Sequence, residues 1–405
     1  MHPLVRGLAG LLLLLGSAFA RAEAGAGPGT LEVQFRSVTV PQNSVPAFTQ
    51  DRDGFLWIAT SRGVMRYDGY RLRPIEIAVD ASSRRSLGWV RAVAPAADGR
   101  VWIGTEFQGL VAYDPARDRV DAAAEGGPQA PIRALAEDRD GAIWVGTMGR
   151  GLLRYDPRAR RFEPQVLNSH GAAETRVLAL RVASDGTVWA GHWRGLARRQ
   201  PGAGGAWQNL DLPGLPDGAT VLALAEDGAG RIWLGTQDGR LGCVEQGRVR
   251  WVHDFEMPVQ ALAQDADGRL WVGSKNGLVL VDVDSGVVES RLRRDPRRAT
   301  GLAGNDISGV LRDRSGAMWV SGYGLGLQRH LRHPALAVRG PDADPAGPLG
   351  EADVRALLTL QSGEVLAPTQ NGLVVRLDGR PGHDLATLGV WPRERSSVVT
   401  FLAEA

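Results

Sequence analysis

The chain has 405 residues, and its 47 basic and 45 acidic side chains nearly cancel. A balance this even excludes the basic footprint of a nucleic-acid binder. Cys243 is the only cysteine, which excludes an internal disulfide and any cysteine-built metal centre.

Residues 1–20 read as a secretory signal peptide. Arg6 precedes an apolar run from Leu8 to Phe19, and Ala18-Phe19-Ala20 offers small residues for cleavage before Arg21. That run is shorter than the roughly twenty residues of a membrane helix, so the mature chain is expected to be exported to the periplasm, with an uncleaved anchor as the alternative. Leu31 to Val38 then forms an apolar-alternating segment. It stands where the outer strand of a preceding unit would lie, and such a strand can complete the last unit of a ring.

From Asp53 onward one short phrase recurs. Asp53-Gly-Phe-Leu-Trp57-Ile-Ala-Thr60 returns around Trp102, Trp144, Trp189, Trp233, Trp271 and Trp319, and an eighth time around Leu366, at spacings of 38 to 48 residues. Strand-like content at this period means propeller blades. The third copy shows one blade. Ile132 to Asp138 is a short apolar strand, Asp140-Gly141 a hairpin turn, and Ala142 to Thr147 a second strand. A turn at Met148 to Gly151, a third strand from Leu152 to Asp156, and a fourth from Arg161 to Leu167 follow. Four antiparallel strands make one blade, so the fold class is all-β, a β-propeller. The seven Trp are expected to pack between blades. Each removes roughly 150–250 Å² from water, on the order of 4–6 kcal/mol gross and an upper bound for compact unfolded chains.

The Asp-x-Asp-Gly turns (Asp51 with Asp53, Asp138 with Asp140, Asp265 with Asp267) offer two carboxylates each, too few oxygens for calcium. Their first acid is expected to accept backbone N–H bonds, and no metal or cofactor is expected. Arg291 to Arg294 with Arg297 and Arg298 reads as a solvated loop. Pro334 to Gly350 reads as a linker, so that residues 21–333 form a seven-bladed first propeller and 334–405 begin a second. Closure with eight blades, ending near Trp391, is the alternative. Ser397 to Glu404 resembles the first strand of a ninth repeat, so the chain is expected to be a fragment of a longer protein.

Alternate turns of antiparallel strands lie on opposite faces of a ring. The Asp-Gly turns share one face; the turns after the second strand share the other, and these vary from copy to copy. They carry Arg62, Glu106, Phe107, Met148, Arg150, His192, Trp193, Arg194, Gln237, Asp238, Lys275, Asn276 and Tyr323, then Gln370 and Asn371. Varied tips on a constant frame are how a scaffold presents a binding surface, and Arg and aromatic groups suit carboxylates, phosphates and stacking. Glu106 and Asp238 are the carboxylates that could serve glycan cleavage. No nucleophile elbow or phosphate-cradling glycine loop occurs, and no catalytic residue is assigned.

The phrase Gln50-Asp-Arg-Asp-Gly-Phe-Leu-Trp-Ile-Ala-Thr60 with Arg62-Gly-Val-Met-Arg-Tyr-Asp-Gly69 resembles the two-component regulator propeller repeats, across about residues 33 to 405. The resemblance implies a periplasmic ligand-sensing region of a hybrid sensor kinase or sensor diguanylate cyclase. It implies a small-molecule or glycan ligand, a membrane helix and an output domain downstream, and dimerisation of the full-length protein. Departures are Leu366 for Trp, which suggests a loosened eighth blade; Ala229, Ser315 and Ser362 for Asp before the turn glycine; and His192 for Thr. A secreted propeller enzyme, a lyase or glycan hydrolase, and a protein-binding scaffold are the alternatives.

Overall fold

A computed structural model describes residues 33–331, apart from 79–83, 123–126, 170–171, 203–204, 215–217 and 299, together with four short strands beyond residue 331. The expected signal peptide at 1–20, the expected linker at 334–350, residues Gln370 and Asn371 and the segment 397–404 lie outside the described residues. Among the described residues there is no helix.

Each of the seven complete repeats folds as an antiparallel blade of four strands, and in blade 1 a fifth short strand, Arg84–Ser86, pairs outside them. Blade 3 runs Ile132–Glu137, Ile143–Thr147, Leu152–Asp156 and Arg161–Gln165, close to the strands expected from its sequence. The first strand of every repeat is innermost. These seven inner strands touch in sequence around the axis, and Ile307–Arg312 of the last repeat returns to Ala47–Gln50 of the first. The outer strand of blade 7 is Gln34–Val38, paired antiparallel with Gly326–Leu331 from Gln34↔Leu331 to Val38↔Leu327. The ring therefore has seven blades, closed by the N-terminal strand. The eighth repeat forms a separate four-stranded sheet of Leu358–Thr359, Val365–Pro368, Leu373–Arg376 and His383–Asp384.

The repeated Trp residues fill the seams between blades, and all seven are buried. Trp57 of blade 1 meets Tyr113 of blade 2 at 5.4 Å between ring centroids, and Trp102 meets Tyr155 of blade 3 at 5.3 Å. Trp271 meets His330 of blade 7 at 5.1 Å, and Trp319 meets Tyr67 of blade 1 at 6.2 Å. In blade 4 the same strand position holds Arg199, whose guanidinium lies 5.5 Å over the Trp144 ring. Trp189 and Trp233 pack instead on aliphatic neighbours, including Ile232 and Leu270 respectively.

The glycine two residues after the Trp is where the next blade closes in. A Cβ on Gly235 would run into Val259 Cγ1 and lie 3.0 Å from the Val259 carbonyl; on Gly104, Gly191 and Gly273 it would lie 2.5, 2.7 and 2.8 Å from Ile132, Val221 and Ile307. Gly235→Ala is therefore expected to destabilise the ring by about 1–3 kcal/mol through overpacking. Urea unfolding checks this, and an unchanged midpoint would show that the seam yields.

The first acid of the turn is the seam's polar anchor. Asp265 Oδ1 accepts the N–H groups of Asp267 and Arg269, and Oδ2 accepts the indole N–H of Trp271 at 2.9 Å. Asp51, Asp138, Asp227 and Asp313 repeat this pattern with Trp57, Trp144, Trp233 and Trp319. These acids do accept backbone N–H bonds, and they also hold the indole, which the turn reading alone did not foresee. Groups able to hold a metal ion are absent among the described residues. Burial opposes ionisation of Asp227, Asp265 and Asp313. Hydrogen bonds from the Trp indoles, backbone and neighbouring side chains outweigh it and hold all three carboxyls below their ordinary 3.8. A depressed carboxyl adds stability above its unfolded value and loses that contribution as pH falls through its folded value. Urea midpoints should thus hold from neutrality to about pH 5 and fall steeply below pH 4. A midpoint that is flat down to pH 3 would contradict the anchoring role.

Candidate functional site at the axial end of the loop face

In blades 2 to 5, backbone hydrogen bonds zip the second turn to the link that enters the inner strand. Glu106 N–H donates to Trp89 O at 2.8 Å, Met148 to Pro131 at 2.9 Å, Trp193 to Arg176 at 3.1 Å and Gln237 to Thr220 at 2.9 Å. Varied turns and links thus share one face. The turns themselves are braced by the last residue of the second strand. Thr147 Oγ1 donates to Gly151 O and accepts the Arg150 N–H; Thr60, Thr105, Thr236 and Ser274 act similarly. His192 takes this place in blade 4. It is buried, and its Nδ1 accepts the Arg194 N–H at 3.3 Å and lies 3.6 Å from Glu174 Oε2.

The other candidates spread around the rim. Arg62, Arg150, Arg194, Gln237, Lys275 and Asn276 are exposed, as is Asp238, which is 3.4 Å from Arg240. Phe107 is 84% exposed and Trp193 46%, the latter under the Arg176 guanidinium at 4.6 Å; Met148 is half-buried. Two candidates, Glu106 and Tyr323, are brought together by a residue the turn reading did not include. Arg91 Nε donates to Glu106 Oε2 at 2.8 Å, and its Nη1 donates to the Tyr323 hydroxyl at 3.1 Å. Glu106 belongs to blade 2 and Tyr323 to blade 7, so this contact passes over blade 1, which presents the short Pro46 at the matching position. The Arg91 guanidinium lies 3.7 Å over the Trp89 ring, and the buried Trp89 Nε1–H has no acceptor among the described residues.

Arg133 joins this cluster from blade 3, where Arg91 and Glu106 act on its charge. Both arginines are the second residue of an innermost strand, at a register shift between Val90 and Ala92 and between Ile132 and Ala134. The same bulge occurs at Leu178, Leu222, Gln260 and Ser308. Bulges re-aim side chains, and here they do so at the end of the strands that surround the axis. A signal for these residues exists in the sequence. The inner strands read Val-x-Ala or Ile-x-Ala/Gly, and only the middle position changes freely.

The model of the two component regulator propeller family matches residues 39–62, 126–149, 214–238 and 255–276. Four segments of the chain are two component regulator propeller repeats. No curated protein matches it. Among solved structures, the repeats superpose on the extracellular domain of a candidate hybrid two component system, BT4673, from B. thetaiotaomicron, with a TM-score of 0.65 and 22% identity. The match covers 85% of this chain and 46% of that one. A second such domain, BT3049, from the same organism gives 0.64 and 20%, covering 87% and 49%. The chain thus spans about half the length of these sensor domains. A catalytically inactive virginiamycin B lyase from Staphylococcus aureus, solved with quinupristin, gives 0.60 and 14%, covering 74% of this chain and 99% of the lyase. At these identities the likeness concerns the propeller fold.

Proposed function

We propose that this regulator propeller is the periplasmic ligand-sensing part of a bacterial transmembrane signalling protein, of the hybrid sensor kinase or sensor diguanylate cyclase type. The observation that carries the reading is the loop face. A rigid seven-bladed frame repeats its seams and turn braces blade after blade, while the turn tips of one face vary between blades and the bulge residues range over Arg, Leu, Gln and Ser. The family of the repeats and the sensor domains that share the fold support it, as does the export signal at residues 1–20. The output chemistry belongs to domains beyond this chain. A ligand at the loop face would act by binding one arrangement of the input region more tightly than another, and only that difference in affinity can carry a signal.

A binding role also fits the carboxylates better than glycan cleavage. Glu106 is tied to Arg91, and Asp238 faces Arg240. The three described histidines of the ring are committed to packing or to backbone. His192 braces its turn, His253 Nε2 contacts Gly286 O at 2.7 Å, and His330 packs on Trp271.

A thermal-shift screen of the purified full chain against sugars, sugar acids, organic acids and amino acids tests the reading. The expected result is a rise in melting temperature with one chemical class, without turnover. Saturable turnover abolished by Glu106→Gln would favour an enzyme. Capture of one periplasmic protein, with no small-molecule response, would favour a scaffold.

A further inference from the structure

The groups gathered at the axial end of the loop face are nearly all donors. Arg133 has no hydrogen bond or ion pair among the described residues. The Tyr323 hydroxyl accepts from Arg91, which leaves its own proton free to donate. The Trp89 indole N–H is buried without an acceptor. Among the charges that act on Arg133 there is one acid, Glu106, already held by Arg91; Asp306, further round this end, accepts from Gln260. Two guanidinium groups facing one carboxylate leave an excess of one positive charge. A planar guanidinium with its fork unused matches a carboxylate through two parallel hydrogen bonds.

We propose that this end of the axis is a carboxylate-binding site, with Arg133 and the Tyr323 hydroxyl taking the anion and Arg91 holding Tyr323 and Glu106 in position. The proposal rests on the ligand-sensing reading above and names its ligand class. The remaining acceptor, Glu106, is placed to take a hydroxyl or ammonium proton from the same ligand. Burial, together with repulsion from Arg91, pulls the Arg133 guanidinium below its ordinary pKa, and Glu106 and Tyr323 offset this only in part. A bound anion would relieve that excess. The bulges at Arg91 and Arg133 place both side chains here at the expense of regular pairing, as binding sites often do.

Calorimetry on the full chain tests this with D-glucuronate, succinate and glycylglycine as carboxylate probes, and D-glucose and sulfate as controls. At least one carboxylate should bind, and which one does distinguishes a sugar acid from an organic acid or a peptide terminus. Arg133→Gln should weaken that binding about 10- to 100-fold, the scale of a lost charge-assisted hydrogen bond. Since Arg133 supports no bond among the described residues, the variant's melting temperature should stay level or rise. Tyr323→Phe, which removes a single hydroxyl, should weaken binding several-fold and gives a second, independent arm. Equal carboxylate affinity in both variants would overturn the site, as would sulfate binding in place of every carboxylate. A neutral ligand bound equally by wild type and Arg133→Gln would overturn it and leave the sensing reading standing. Absence of binding by any small molecule would overturn both.

Discussion

Asp265→Ala will cost the ring about 3–5 kcal/mol, the range for breaking a buried, hydrogen-bonded charge pair. Asp265 is 6% exposed, and its two oxygens serve two backbone N–H groups, the Trp271 indole and the Arg269 guanidinium at 2.8 Å. Alanine leaves those donors buried and unpaired, and each such group costs about 1–3 kcal/mol. The same logic gives a stabilising counterpart. Blade 2 carries Ala96 where five blades carry the acid, and its Trp102 indole N–H is buried without a partner among the described residues. Ala96→Asp should supply the acceptor and raise stability by about 1–2 kcal/mol. Urea unfolding of both variants reads the pair. Opposite shifts are expected, whereas a neutral Asp265→Ala or a destabilised Ala96→Asp would mean that the Trp packing, and not the acid, holds the seam.

Arg36→Pro will open the ring at its latch, at a cost on the order of 3 kcal/mol. Phe35 N–H points outward and donates to Thr300 O at 2.7 Å. By the alternation of antiparallel pairing, the N–H groups facing Gly326–Leu331 are therefore those of Gln34, Arg36 and Val38. Proline at 36 removes the central one. Phe35 should lose its place against Trp271 and His330, which it meets at 6.2 and 5.9 Å. Limited proteolysis should then cut first beside Leu331 and in blade 7, and the newly exposed strand edge should promote association. Proline at Ser37 is the matched control, because that N–H points away from the pair. Equal damage from the two would argue against this register.

Much of this ring was legible before any coordinates. The Trp spacing marked the blades, and the Asp-Gly turns marked the hairpins within them, because both signals are local and repeat. The outer-strand reading of Leu31 to Val38 also anticipated the latch. The choice between seven and eight blades was harder, because closure depends on pairing Gln34 with Leu331, and no local pattern reports contact between such distant segments. The anchor was visible only in part. The missing acids at Ala229 and Ser315 drew notice, yet Asp227 and Asp313, each six residues before its Trp, make the indole bonds. The axial cluster escaped a reading based on turns because Arg91 and Arg133 sit within strands. A bulge turns them toward the loop face, and its mark, the free middle position of Val-x-Ala or Ile-x-Ala/Gly, emerges only when the inner strands are set side by side. His192 shows the converse. Its position beside Trp193 and Arg194 drew attention, while its burial follows from replacing the Thr that braces the turn.

The most direct test of the account is hydrogen–deuterium exchange on the full chain, with and without the compound that most raises its melting temperature. Binding at the axial end of the loop face predicts slower exchange at residues 89–92, 105–107, 132–134 and 322–324, with the Asp-Gly turns unchanged. Protection confined to those turns, at 51–55, 138–142 and 265–269, would place the ligand on the opposite face and contradict the account.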